Sequence, residues 1–105
     1  MAAATTTIRV DRDVHERLVR LAEAGDQQLL RLYFGEVTPS RWARLQLMKM
    51  MSEFREGMWA VVQQAISTLD TDFVSYADER LGNCERLAAR PQFEQWLVDA
   101  AAPAL

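Results

Sequence analysis

Apolar residues recur at helical spacing along most of this chain, with one short exception near the start. Residues 5–10, TTTIRV, are β-branched at every position except Arg9, and side chains in an extended segment alternate between two faces. The pattern predicts one short strand, with Thr6, Ile8 and Val10 on one face and Thr5, Thr7 and Arg9 on the other. From VDRD onward the period becomes helical. Val14, Leu18, Leu21 and Ala22 form a stripe, Asp11 or Asp13 supplies an N-cap, and Asp13 with Glu16 has capping-box spacing. Gly25 and Asp26 predict the end of this helix and the cap of a second, short one that carries Leu29, Leu30, Tyr33 and Phe34 and stops at Gly35.

T-P-S at 38–40 predicts a new start, with Thr38 as cap and Pro39 in the first helical position. Trp42, Leu45, Met48, Met51, Phe54 or Arg55, Met58, Val62, Ile66 and Leu69 then keep helical register for about eight turns. Gly57 interrupts them at a cost of about 1 kcal/mol relative to alanine. A helix this long lacks a full set of neighbours in a small chain, so it is expected to pack on another chain along part of its length. For most of Trp42, Met48, Met51, Phe54, Met58 and Trp59 the plainest reading is still an internal core. L-D-T-D at 69–72 breaks the pattern and offers fresh caps. The next helical stretch carries Phe73, Tyr76, Ala77, Leu81, Cys84, Leu87 and Ala88, with Gly82-Asn83 a possible split. Arg90-Pro91 opens a last short helix with Phe93, Trp96 and Leu97.

At 105 residues, half of them hydrophobic, the chain has material for one small domain, of a size that often completes its core with a partner. No apolar run approaches the roughly 18 residues of a membrane span, and MAAATTTIRV lacks the basic start and apolar centre of a signal peptide. A single cysteine, Cys84, forms no internal disulfide, and the expected location is a reducing cytoplasm. The net charge of −3 is uneven: residues 1–55 hold nine Arg/Lys and seven Asp/Glu, residues 56–105 three and eight. Two surfaces with different partners are expected. One His and one Cys far apart in sequence, no glycine-rich phosphate loop and no metal-ligand cluster argue against an enzyme, a cofactor or a metal site. His15 reads as a surface residue, Cys84 as a small buried hydrophobe, and the Asp70/Asp72 and Asp78-Glu79 pairs as helix-start acids.

TTTIRVDRDVHERLVRLA resembles the opening of the ribbon-helix-helix DNA-binding proteins (the Arc, MetJ and CopG type), in which two chains pair their strands into a ribbon that enters the major groove. The resemblance implies a mainly α fold made of a ribbon-helix-helix module at residues 1–36 and a helical, acidic region at 37–105. It also implies a homodimer that binds operator DNA. Thr5, Thr7 and Arg9 would face the bases, where arginine suits a guanine edge and threonine offers a hydroxyl and a methyl. Ile8, Val10, Leu18 and Leu21 would form the dimer core. The chain departs from that family at G-D-Q-Q (25–28), where Asp26 stands in place of a small hydroxyl residue that would help hold a phosphate.

MSEFREGMWAVVQQA, followed by DTDFVSYADER, resembles the toxin-binding half of CcdA-type antitoxins through Glu53, Glu56, Gly57, Met58, Phe73, Ala77, Asp78 and Glu79. The resemblance implies a small protein toxin as partner. Tyr76, Phe93 and Trp96 would anchor it, and Asp78 and Glu79 would oppose a basic surface. The expected function is therefore an antitoxin and autorepressor. The alternatives are a helical interaction or adapter protein without a DNA role, and a simple repressor without a toxin.

Overall fold

The computed structural model of the chain describes residues 12–103. Four helices are present among these residues: α1 (Arg12–Phe34), α2 (Pro39–Ile66), α3 (Phe73–Ala88) and α4 (Phe93–Ala101). The chain divides into two compact units, Met1–Val37 and Thr38–Leu105. No helix among the described residues is long and apolar enough to cross a membrane.

The helices confirm a mainly α protein and correct the expected ribbon-helix-helix fold. That fold requires a turn near Gly25 and Asp26, with a second helix leaving at an angle. Here α1 passes through both residues without a break and runs for 23 residues. A lone glycine costs a helix only about 1 kcal/mol, and the helix formers Leu21, Ala22, Glu23 and Ala24 before it and Gln27, Gln28, Leu29 and Leu30 after it outweigh it. The helix stops at Gly35 instead, whose φ of 88° lies in the left-handed region and whose N–H donates to Arg31 O at 2.8 Å. The expected strand at residues 5–10, with Thr5, Thr7, Ile8, Arg9 and Val10, lies outside the described residues, and no strand occurs among the described ones.

In the second unit α2 is the central element, and both α3 and α4 pack on it. Thr38 caps α2 by accepting from Arg41 N–H at 3.2 Å, and Pro39 occupies the first turn, where a missing N–H is harmless. Asp72 caps α3, with its two carboxylate oxygens accepting from Ser75 N–H at 3.0 Å and Ser75 Oγ at 2.7 Å. The helix continues through Gly82-Asn83 to Ala88 without splitting. Helix α4 is short and has no side-chain cap at its start. Its C-terminal end is held by the Arg44 guanidinium, which donates to Ala100 O and Ala102 O, both at 3.0 Å. A cation there satisfies carbonyls that have no partner within the helix and sits at the negative end of its dipole.

Candidate partner-binding surface

Small and polar residues make up the side of α2 that is buried within its own unit. Ala43, Gln46, Gly57 and Ala60 are the buried residues of this helix, and Gln46 is only 2% exposed. Together with half-buried Glu53 they follow a seven-residue rhythm, which places them along one line of the helix. Small side chains let α3 approach closely. Ala60, Phe73 and Ala77 form a compact cluster with Tyr76 against it. Trp59 stands edge-on to both rings, 5.6 Å from Phe73 and 6.2 Å from Tyr76 between centroids.

Charged groups fasten the same contact. Glu53 accepts from Arg80 Nη1, 3.3 Å from each carboxylate oxygen, and from Asn83 Nδ2, also at 3.3 Å. The Glu53 carboxylate raises the Arg80 pKa further above its ordinary value, first through the hydrogen bond and then through its charge. Tyr76 OH donates to Glu56 Oε2 at 3.2 Å, and the Arg80 guanidinium lies 5.0 Å above the Tyr76 ring. Asp72 is held below its usual carboxylate pKa, chiefly by the backbone N–H of Ser75 and then by its hydroxyl.

The large apolar residues of α2 point the other way. Met48 and Ile66 are each 68% exposed, Met51 57% and Met58 41%, and Phe54 and Val62 are also exposed. At 3.6 residues per turn, the centre of this stripe lies about 145° around the axis from the Gln46–Gly57 line. The expectation that most of Trp42, Met48, Met51, Phe54, Met58 and Trp59 form an internal core is therefore corrected for Met48, Met51, Phe54 and Met58, whose side chains are exposed. Trp42 is half-buried, and Trp59, though partly exposed, packs on Phe73 and Tyr76. Met48, Met51, Ser52, Phe54, Arg55 and Met58 line a shallow groove of about 720 Å³. Arg55 is the charged member of that lining, and its guanidinium is 3.7 Å from the Glu56 carboxylate.

The other expected contact residues are dispersed. Leu18 and Leu21 are exposed on α1, at 54% and 68%. Asp78 and Glu79 are exposed on α3, while Tyr76 is half-buried and engaged by Trp59, Arg80 and Glu56. Phe93 is half-buried at the start of α4, and Trp96 is buried, with 5% of its surface accessible. Cys84 is a half-buried free thiol on α3. Among the described residues no cluster of His, Cys, Asp or Glu side chains is placed to hold a metal ion.

Sequence reasoning missed Arg44 as a clamp, Glu53 as a shared acceptor and Gly57 as a crossing point. The signal for the last two was available in the spacing of Ala43, Gln46, Glu53, Gly57 and Ala60. It was overshadowed by the stronger apolar stripe on the opposite side of the same helix. Comparison with protein-family models, curated proteins and solved structures finds no match for this chain.

Proposed function

We propose that this is a helical interaction protein whose working surface is the outward apolar face of α2. The single observation that carries the reading is the two-sidedness of that helix. Its small and polar line is consumed within the chain, and its Met48–Met51–Met58–Ile66 stripe is left exposed. Contiguous apolar patches of more than a few hundred Å² on a folded unit mark interaction sites. Methionine-rich helical surfaces suit helical partners, because the unbranched thioether side chain adapts its shape to what it meets. The repressor reading, and the DNA-binding half of the antitoxin reading, drew on a ribbon-helix-helix module, whose fold is not that of an α1 continuous through Gly25 and Asp26. The toxin-binding half drew on the CcdA-type resemblance alone. An interaction role requires no DNA contact.

Site-specific photo-crosslinking in the host cell tests the proposal. A benzophenone side chain replaces Met51 or Met58 in turn, with Glu79 on the exposed side of α3 as the control position. Discrete protein adducts are expected from the two α2 positions and not from the control. Adducts equally strong at all three positions, or none at any, would contradict the reading.

A further inference from the structure

We infer that the partner covering the outward face of α2 is a second copy of the same chain, packed antiparallel on α2 about a two-fold axis near Met58. The inference rests on the reading of that face as an interaction surface and adds the identity of its occupant. Three features of the face point to self-association.

The first is size. Met48, Met51, Phe54, Met58, Val62 and Ile66 are all exposed, and together they offer on the order of 700 Å², close to the roughly 800 Å² that each partner contributes to a stable interface. The second is charge. Arg55 is the stripe's cation, and Glu56 of the same chain lies 3.7 Å from it, so the face meets a copy of itself without a net charge to repel. A partner selected by charge would find little to read here.

The third is shape. Residues 54, 58, 62 and 66 are four apart and form one ridge, which helix packing fits into the groove of a facing helix. The groove lined by Met48, Met51, Ser52, Phe54, Arg55 and Met58 occupies the N-terminal part of the stripe, and the Val62–Ile66 portion of the ridge lies beyond it. An antiparallel two-fold places each copy's ridge in the other copy's groove, which is the self-complementarity that a two-fold interface demands. With the axis near Met58, the two Arg55 side chains fall opposite apolar residues around Val61 and Val62 rather than opposite each other.

Sedimentation equilibrium on the purified full chain, from low micromolar to near-millimolar concentration, tests the inference together with two sets of variants. The wild type is expected to be a dimer, and the Met51→Glu/Val62→Glu double variant a monomer of unchanged helix content. In a Cys84→Ser background, oxidation with diamide is expected to join Met58→Cys chains into a covalent dimer and to leave Ile66→Cys chains unjoined. A wild type that stays monomeric throughout, or a double variant that stays dimeric, overturns the inference. If the double variant does not fold, the Met58→Cys result decides alone, and absence of a covalent dimer overturns the inference. A monomeric wild type that still yields host adducts from Met51 leaves the interaction reading standing with another partner; a monomer without adducts removes both.

Discussion

Gly57 of α2 and Leu81 of α3 meet so closely that no side chain fits between them. A Cβ placed on Gly57 would lie 2.7 Å from both Leu81 Cδ2 and Leu81 Cγ, and 3.3 Å from the Leu81 backbone nitrogen. The glycine that looks like a flaw in a long helix is therefore the point at which α2 and α3 cross. Neighbouring Glu53 and Ala60, on the same line of α2, make the carboxylate and cluster contacts with α3.

Gly57→Ala is expected to lower the stability of the protein although alanine is the better helix former. Forcing a methyl group into a packed contact costs about 1–3 kcal/mol, and the helix gain returns about 1 kcal/mol. The net loss is up to about 2 kcal/mol, read from urea unfolding followed by circular dichroism. Adding Leu81→Ala to Gly57→Ala relieves the overlap, so the two changes together are expected to cost less than the sum of their separate effects. Strict additivity would show that the crossing is not as tight as described.

Asp72 links the start of α3 to pH. Its carboxyl is held below the ordinary value of 3.8 by Ser75, so the folded state favours the ionised form. The stabilisation it provides is fully present above that ordinary value and is lost as pH falls through the lower, folded-state value. Asp72→Ala is expected to lower the thermal midpoint at neutral pH, with the gap to wild type narrowing in acid. Asp72→Asn keeps a capping side chain, and so should retain much of the stability while flattening its dependence on pH. A gap between wild type and Asp72→Ala that widens on acidification would contradict the assignment.

Trp96 separates internal packing from partner contact. With 5% of its surface accessible, it is expected to behave as a core residue, and Trp96→Ala should cost about 3–5 kcal/mol in the isolated protein. Leu97→Ala, at a neighbouring exposed position, should change stability by about 0.5 kcal/mol or less. Equal, small effects at both positions would mean that the Trp96 side chain contributes little to the interior of its unit.

Much of the helical framework is legible in the sequence, because local signals decide it. Thr38-Pro39, the Asp72 cap and the stop at Gly35 each act through bonds within a few residues of themselves. The break expected at Gly25-Asp26 does not occur, since a glycine signals a turn only when the flanking residues do not sustain the helix. The two sides of α2 are harder to assign from sequence. Periodicity shows that Met48, Met51, Met58 and Val62 share a face, but not whether α3 and α4 supply the neighbours for it. The structure gives those neighbours to Ala43, Gln46, Gly57 and Ala60 instead, because small residues permit the close approach that Phe73, Ala77 and Leu81 exploit. Arg44 is outside the reach of sequence reasoning for another reason: the carbonyls it binds at Ala100 and Ala102 are more than fifty residues away.

The most direct test of the outward face of α2 is a methyl NMR spectrum of the protein labelled at its methionines, recorded from low micromolar to near-millimolar concentration. Met48, Met51 and Met58 lie on the exposed stripe, and half-buried Met50 lies on the side of the helix turned towards the interior. The expected result is that the signals of Met48, Met51 and Met58 shift together as concentration rises while that of Met50 stays in place. Signals from the three stripe methionines that do not move with concentration, or a Met50 signal that moves as far as theirs, would contradict the account of this face as the surface on which copies of the chain meet.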